Sequence, residues 1–275
     1  MYLIRQCQPW GWKGLRDVRI REGFITGIAH ALEPQPGEEQ IEARGNALLP
    51  GLQDHHLHLN ALAASLDSLN CGPPAVSTAE ELSLALNKAN EDERGRWLRG
   101  IGYHADVAGD IDREWLDTHI PDRPARIQHR GGRLWLLNSA GLAALGIGDN
   151  SKDLPEGAEK RGDQLTGRLF ECDVWLRGLL RGAPPMLDKA SSHLASHGVT
   201  DLTDTSPANN TEAFNHFRAE QDAGRLLQSV RMMGSLALTE ASPTERLNLG
   251  EYKVHLLESQ LHFVLAQVHF VLAQV

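Results

Sequence analysis

The sequence predicts an α/β protein, and three observations along its 275 residues support that prediction. From residue 190 onward, helical and strand-like segments alternate, which is typical of a parallel α/β sheet or barrel. Residues 1–50 contain short strand-like runs broken by glycine and proline, which predicts a small β-layer. Between these regions, an apolar run enters the segment 48–58 through Pro50 and Gly51, and this segment is predicted to be a strand.

The segment 48–58 also carries the strongest functional signal in the chain. Alternate side chains share one face of a strand, so Asp54, His56 and His58 are predicted to point the same way, with the imidazoles about 6–7 Å apart along the backbone. That spacing lets both rings reach one metal ion, at Zn–N distances of about 2.0–2.1 Å. The Asp54 carboxylate is placed to orient a ligand. A His-x-His pair is also common in ordinary strands, so a pair without a metal is the alternative.

Between residues 60 and 190 we find no second metal motif. A capping box with Ser77 as N-cap and Glu80 at the third helical position predicts the start of a helix. The other predicted elements are strands at 97–104 and 125–130, helices at 112–119, 138–145 and 174–180, and a polar surface excursion at 147–168.

Beyond residue 185 the predicted elements alternate. They are helices at 186–197 and 211–223 and strands at 199–204, 226–233 and 252–257. The chain then ends on a tandem copy of seven residues, 262–268 and 269–275. We interpret this repeat as an aberrant tail produced by a duplication or a frameshift, and the two histidines in it as incidental.

The composition excludes several classes of partner. A net charge of −9 argues against nucleic acid and against an anionic membrane surface. No apolar run approaches 18 residues, and the first residues lack the pattern of a signal peptide. Cys7, Cys71 and Cys172 are scattered, which predicts free thiols in a reducing, cytoplasmic setting rather than disulfides or a thiolate zinc site.

Five stretches of the chain together resemble one known family. They are residues 50–58, 97–104, 138–142, 166–169 and 198–201. In this order they are similar to amidohydrolase family 3 of the metal-dependent amidohydrolase superfamily, the branch that includes N-substituted-formamide deformylases. The resemblance covers roughly residues 1–257.

The resemblance implies a partial TIM-type (β/α)8 barrel with a small N-terminal β-sandwich layer and a large insertion after strand one. Residues 1–50 would be the sandwich portion, and 51–261 the incomplete barrel with its insertion at about 60–190, before the tail at 262–275. The implied barrel strands one to four are 51–58, 199–204, 227–233 and 252–257.

The chemistry implied by the resemblance is hydrolysis of a non-peptide carbon–nitrogen bond of amide type by metal-activated water. The cofactor would be a divalent metal, usually zinc, and the substrate a small-molecule amide or formamide. His56 and His58 would hold the metal. Lys253 stands where many members carry a carboxylated lysine that bridges two metals, although a solvated strand-edge lysine is the alternative. The catalytic candidates are therefore Asp54 and Lys253.

Two departures from the family pattern bear on activity. Where much of the branch has Asp-Gly-His, this chain has Gly131, Gly132 and Arg133, so an arginine replaces a substrate-side histidine. His104 and His129 are further candidates for substrate contacts, with ordinary structural histidines as the alternative.

Family members also run to roughly twice this length. Their strands five to eight supply two more metal-binding histidines and the aspartate that acts as general acid and base. This chain alone is therefore expected to bind metal weakly or not at all. The alternative to a hydrolase is a non-catalytic fragment, or a half barrel that a partner completes, with self-association through its unpaired edges.

Overall fold

The structure, a computed structural model, describes residues 1–92, 97–180, 182 and 184–253, and these residues form an α/β fold. The strands β1 to β15 are, in chain order, Tyr2–Pro9, Arg16–Arg21, Phe24–Ala29, Glu39–Glu42, Ala47–Leu48, Leu52–Leu57, Leu69–Asn70, Leu98–Tyr103, Ala125–His129, Leu134–Leu137, Ala158–Arg161, Gln164–Phe170, Val199–Asp204, Ser229–Gly234 and Leu247–Tyr252. The helices α1 to α8 are Leu59–Leu66, Ala79–Asp92, Ala105–Ala108, Arg113–His119, Ser139–Ala144, Asp173–Leu179, Asp188–Ser196 and Thr211–Asp222, and a 3-10 helix spans Leu236–Glu240. In this described part of the chain, no helix has the length and apolarity needed to cross a bilayer.

The first sheet contains the five strands of residues 1–50. Its order is β3-β2-β1-β4, and β5 also pairs with β1. Glu22 and Gly23 join β2 to β3 with φ of 50° and 83°, which is the turn conformation that matches the twist of a hairpin. The buried carboxylate of Asp17 accepts the N–H groups of Gln6 at 2.9 Å and Leu32 at 3.0 Å. The predicted β-layer is thus present as one sheet.

The second sheet lies within the region 60–190 and has the order β11-β12-β10-β9-β8-β7. β7, β8 and β9 are parallel, whereas β9, β10, β12 and β11 are antiparallel neighbours. One face packs against α2 and α4 through residues such as Leu86, Leu116 and Ile127. The other face packs against α6 through residues such as Leu137 and Leu176. This region therefore has a sheet and two apolar cores of its own.

The predicted cap of α2 is wrong by one residue. The hydroxyl of Thr78 accepts the N–H of Glu81 at 3.2 Å, and the Glu81 carboxylate accepts the N–H of Ser77 at 2.7 Å. The capping box is therefore Thr78 with Glu81, not Ser77 with Glu80. Both pairs have the same spacing, so the sequence pattern could not separate them.

The polar excursion predicted at 147–168 is also wrong in its second half. β11 and β12 form an antiparallel hairpin there, and β12 then pairs with β10. The side chains of Leu165 and Leu169 are buried against Trp135 and Leu176. β12 is buried at four of its seven residues, whereas β11 is mostly exposed, so β12 is part of the packed fold rather than a surface excursion.

The third sheet contains β6, β13, β14 and β15, all parallel, in the order β15-β14-β13-β6. This order is the chain order, as successive βα units produce. Helices α7 and α8 cover one face of the sheet around Leu202, Phe214, Phe217 and Val230. The alternation predicted from residue 190 onward is confirmed.

The fourth strand of this sheet starts earlier than predicted. β15 spans Leu247–Tyr252 rather than 252–257, and residues 254–257 and the repeat at 262–275 lie outside the described residues. The buried Leu247 stands opposite Val230 of β14, which aligns the two strands. Lys253 follows directly after the strand, and its N–H donates to the carbonyl of Gly234 at 2.9 Å.

Asn138 holds the second sheet to the helices beside it. Its side chain is fully buried. Oδ1 accepts the N–H groups of Ala125 at 2.9 Å and Gly141 at 2.8 Å, and Nδ2 donates to the carbonyls of Ile120 at 2.6 Å and Arg123 at 2.8 Å. One side chain therefore satisfies four backbone groups on three segments.

We expect Asn138→Ala to lower the free energy of unfolding by about 3–5 kcal/mol, because four backbone groups around a buried site lose their partner. Asn210→Ala is the matched control, since Asn210 caps α8 through one bond to the N–H of Ala213, and it should lower the free energy of unfolding by about 1 kcal/mol. Urea denaturation of both variants measures the difference. Equal losses would contradict the bridging role of Asn138.

Candidate metal centre

His56 and His58 lie together at the carboxyl end of β6. Both side chains are exposed, and their ring centroids are 5.6 Å apart with an interplanar angle of 87°. The structure therefore brings together the two imidazoles that the sequence singled out. Two imidazoles at this separation suit ligation of one metal ion.

The local backbone differs from the straight strand that was predicted. β6 ends at Leu57, and His58 is the N-cap residue of α1. Asp54 stands opposite Leu202, but Leu57 stands opposite Asp204, so β6 has one extra residue there. This bulge breaks the strict alternation of side chains. The two rings meet as predicted, whereas a shared face for Asp54 with them stays a prediction.

Asp54 makes its observed contact with the main chain. Its Oδ1 accepts the N–H of His56 at 2.9 Å. This bond holds the backbone that carries His56 rather than the imidazole itself. A role for Asp54 in orienting a metal ligand stays a prediction.

A buried carboxylate lies beneath the histidine pair. Asp204, the last residue of β13, is fully buried. Its oxygens accept the N–H of Leu59 at 2.7 Å, the N–H of Ser206 at 3.0 Å and the side-chain amide of Asn209 at 2.8 Å. Asp204 thus joins the start of α1, directly after His58, to the loop that follows β13.

The same loop contacts the imidazole of His58. The Oγ of Ser206 lies 3.1 Å from Nδ1 of His58. Engagement of Nδ1 leaves Nε2 as the nitrogen available for another bond, and it limits rotation of the ring. The backbone adds a further tie, because the N–H of Thr205 donates to the carbonyl of Leu57 at 2.8 Å.

Asp204, Ser206 and Asn209 were missed from the sequence. The only available signal was the position of Asp204 at the end of a predicted parallel strand, where sites in α/β sheets collect. Asp204 and the two residues after it contact Leu57, His58 and Leu59, roughly 145 residues away in the chain. A local sequence pattern cannot predict contacts between residues that are so far apart in the chain.

Lys253 lies at the same carboxyl edge, on the far side of the sheet. It is partly exposed and follows β15, and two strands separate β15 from β6. At about 4.8 Å per strand, the two ends are about 14 Å apart measured along the sheet. A metal that contacts both ends therefore requires the sheet to curve. The role of Lys253 stays a prediction.

His104 and His129 form a second pair, at the carboxyl ends of β8 and β9. Their ring centroids are 5.5 Å apart. The Nδ1 of His104 accepts the N–H of Asp106 at 3.2 Å, and the Nδ1 of His129 accepts the N–H of Gly131 at 3.0 Å. Burial, and then the nearby charge of His104, lowers the pKa of His129. Both rings therefore support local turns, which fits the structural alternative as well as a substrate contact.

Arg133 points away from these pairs toward an acidic neighbour. Its guanidinium forms an ion pair with Glu171, and its side chain is 80% exposed. An exposed pair of this kind contributes little to stability. The structure therefore gives Arg133 a surface partner, and its assignment as a substrate contact stays a prediction.

The cysteines are poor candidates for a nucleophile. Cys7, Cys71 and Cys172 are free and buried. Burial raises the pKa of Cys71 to about 12 and also raises the pKa of Cys7 and Cys172. These thiols stay protonated near neutral pH. The histidine pair is therefore the better candidate for a functional site.

The histidine pair fits part of a metal site. A catalytic zinc usually has three protein ligands. Within residues 1–92, 97–180, 182 and 184–253, no group of three or more His, Cys, Asp or Glu side chains is arranged to hold a metal. His56 and His58 are therefore suited as two of the ligands, and among the described residues no further His, Cys, Asp or Glu completes a group of three with them.

Comparisons with known proteins identify a family for this chain. The sequence model of one family, described as the amidohydrolase family, matches residues 39–256. N-substituted formamide deformylase of Arthrobacter pascens is 30% identical over 144 residues, covering 50% of this chain and 26% of that protein. The putative amidohydrolase YtcJ of Bacillus subtilis is 28% identical over 199 residues, covering 66% and 35%. The chain thus spans well under two thirds of the length of these relatives.

Solved structures show the same fold. An uncharacterized metal-dependent hydrolase of Pyrococcus horikoshii superimposes with a TM-score of 0.63 at 18% identity, covering 91% of this chain and 53% of that one. A similar protein of Pyrococcus furiosus gives a TM-score of 0.62 at 21% identity, covering 91% and 55%. At these identities the likeness concerns the fold alone.

We expect Asp204→Asn to lower the free energy of unfolding by about 2–3 kcal/mol, because the new amide N–H groups would face donors and leave buried groups unpaired. Asp201→Asn is the matched control on the same strand, since Asp201 is exposed and accepts a bond only from Thr200 among its described contacts. Chemical denaturation measures both. A loss for Asp204→Asn no larger than for Asp201→Asn would contradict the role of this carboxylate.

Proposed function

The chain belongs to the amidohydrolase family, and we propose that it carries part of the active site of a metal-dependent hydrolase that cleaves non-peptide carbon–nitrogen bonds. The observation that carries this proposal is the pair His56 and His58, 5.6 Å apart at the carboxyl edge of the parallel sheet. Catalytic groups of (β/α)8 enzymes come from this edge. The family and the metal-dependent hydrolases that share the fold support an enzyme.

In this proposal His56 and His58 are metal ligands, and Ser206 and Asp204 hold His58 in place. When bound, a divalent ion of this kind lowers the pKa of a coordinated water to about 7 and polarises a carbonyl oxygen. Asp54 would support His56 through the bond to its N–H. Lys253 would approach the metal from the opposite side of a curved sheet.

The remaining machinery would come from beyond the described residues. The four parallel strands would be strands one to four of a (β/α)8 barrel, with the first sheet as one layer of a β-sandwich and the second sheet as an insertion after strand one. Residues 1–50, 51–261 and 262–275 would then be the sandwich portion, the partial barrel and an aberrant tail. Further ligands and a general acid–base are needed to complete the site.

Zinc and an amide or formamide substrate are the best-supported choices for this site. Two imidazoles are typical zinc ligands. One relative is named an N-substituted formamide deformylase, which favours an uncharged N-substituted formamide or a related small amide. His104, His129 and Arg133 are the proposed substrate contacts. A reducing cytoplasmic setting fits the three free, buried thiols.

A zinc titration tests the metal site directly. We expect the 275-residue chain to bind zinc weakly, because two imidazoles fall short of a full set of ligands. His56→Ala combined with His58→Ala should weaken zinc binding at least about tenfold. His55→Ala is the matched control, since His55 is an exposed histidine on the same strand. Competition with a chromophoric chelator and mass spectrometry of bound metal provide the readouts.

If the double variant and His55→Ala hold zinc equally, the proposed site is wrong. If they differ, zinc-loaded protein can be assayed for amine release from N-substituted formamides and for ammonia release from primary amides. Hydrolysis by the parent chain but not by the double variant would extend the result from binding to catalysis.

A second candidate function is a half barrel that needs a partner. In the described part of the chain, β6 pairs only with β13 and β15 pairs only with β14, so both are edge strands of the parallel sheet. Unpaired edges favour association with another chain. This arrangement would make the chain a binding module rather than a hydrolase on its own.

Light scattering at several concentrations distinguishes the two candidates. We expect the half barrel to form dimers or larger species at micromolar concentration, because the edges of β6 and β15 offer unpaired backbone groups. Gln53→Pro, on the exposed edge strand β6, should reduce association if β6 is used, whereas the exposed Asn215→Ala on α8 should not. A monomer at all concentrations with cooperative thermal unfolding would contradict the half-barrel candidate.

A further inference from the structure

Two arginines lie side by side at the amino ends of β8 and β9. Arg99 and Arg126 are direct partners in the parallel ladder, and both side chains are partly buried. Their guanidinium carbons lie 5.8 Å and 5.4 Å from the centroid of the same indole, Trp135. Like charges on neighbouring strand positions repel. The pair therefore needs an explanation.

The two guanidinium groups have different partners. Arg99 donates to the carbonyl of Ala64 at 2.8 Å and to the hydroxyl of Ser68 at 2.5 Å. Arg126 contacts a second indole, with its guanidinium carbon 5.7 Å from the centroid of Trp97. The Nε of Arg126 is buried and has no hydrogen-bond partner. A buried N–H of this kind is unfavourable unless a ligand or solvent satisfies it.

Neither arginine has an acidic partner in the described part of the chain. The ion pairs between described side chains, defined by an N–O distance of at most 4.0 Å, include neither Arg99 nor Arg126. Burial, followed by the charge of Arg99, lowers the pKa of Arg126 to about 10, and burial lowers the pKa of Arg99. Both shifts are those of partly desolvated cations without a counter-ion.

Arg126 and Trp97 border a cavity of about 590 Å³. This volume lies in the range typical of small-molecule sites, about 300–1,000 Å³. Apart from these two side chains, its walls are mostly aliphatic or glycine and include Ala144, Leu145, Leu179 and Leu180. The cavity therefore combines aliphatic side chains, glycine backbone, one indole and one cation.

This cavity is separate from the candidate metal centre and from the second histidine pair. His104 and His129 stand at the carboxyl ends of β8 and β9, whereas Arg99 and Arg126 are the second residues of these strands. The distance along a strand between the two ends is about 10–17 Å. The proposed hydrolase chemistry makes no use of the cavity.

We propose that this cavity binds a small organic carboxylate, with the carboxylate against Arg126 and an apolar body against Trp97 and the aliphatic wall. A guanidinium matches a carboxylate in planar, two-bond geometry, and the two terminal nitrogens of Arg126 are the donors proposed for that fork. The bound carboxylate supplies the missing counter-ion to Arg99 and Arg126. The aliphatic wall favours an organic acid over inorganic phosphate.

Calorimetric titration of the full chain tests the proposal with two ligands of equal shape. Phenylacetate should bind at least about tenfold more tightly than phenylacetamide, because only phenylacetate carries a negative charge that can pair with Arg126. Inorganic phosphate at the same concentration should give no comparable signal. Three results would overturn the proposal. They are equal binding of phenylacetate and phenylacetamide, preferential binding of phosphate, and no binding of either organic ligand at 10 mM, which is roughly the weakest affinity of interest.

Variants at Arg126 separate a ligand site from a structural arginine. Arg126→Gln and Arg126→Lys should each weaken phenylacetate binding at least about tenfold, since glutamine removes the charge and lysine removes the fork. Arg218→Gln, which alters an exposed arginine of α8, should bind phenylacetate like the parent.

The thermal midpoint gives an independent readout. Arg126→Gln should leave the midpoint unchanged or raise it, because the substitution removes one of two adjacent like charges. A fall in the midpoint together with unchanged phenylacetate binding would show that Arg126 serves the fold and would overturn the proposal. Arg126→Lys keeps the positive charge. Its phenylacetate affinity therefore tests the proposal even if Arg126→Gln folds poorly.

Discussion

The pairing of β6 with β13, closed by the carboxylate of Asp204, is the constraint on which the candidate site depends. Desolvating a carboxylate is costly unless donors surround it. Here three N–H groups, from Leu59, Ser206 and Asn209, meet its two oxygens. These bonds fix where β6 ends and where α1 begins, directly beside His58. The histidine pair is thus a consequence of strand pairing as much as of sequence spacing.

The pairing of β6 with β13 must offset the entropy lost when the long segment between them is closed into a loop. About 140 residues separate the two strands, yet the entropy of closing such a loop exceeds that of a ten-residue loop by only roughly 2 kcal/mol. The segment reduces this penalty further because it folds around its own sheet and two cores. It is also tied back to the end of α1, where Arg99 donates to Ala64 and Ser68, and Lys189 pairs with Asp67 at 2.5 Å. An insertion with its own core is therefore compatible with a well-formed parallel sheet.

The sequence predicted the elements that depend on local patterns and failed where the deciding contact is distant. The helices around residues 113–119 and 211–222 and the His56–His58 pair follow from caps, stops and spacing. The hairpin at 158–170 was missed because burial of Leu165 depends on Trp135 and its neighbours. The fourth parallel strand was misplaced because Leu247 is identified as its start only by its partner Val230. Asp204 is the clearest case, since a single aspartate at the end of a strand gives no local sign that three donors will surround it.

Asp204 and Arg126 show how the surroundings of a partly or fully buried charge indicate its role. The Asp204 carboxylate has a complete set of donors from the protein, so it needs nothing further and acts as a fixed part of the fold. The Arg126 guanidinium has two indoles within 5.7 Å, a like charge beside it and an Nε without a partner, and its side chain lines a cavity. Cation–π contacts stabilise a cation by only about 0.5–2 kcal/mol, which does not replace a counter-ion for a partly desolvated charge. A partly buried cation that lacks a counter-ion and borders a cavity is therefore suited to bind an anion that the chain itself does not supply.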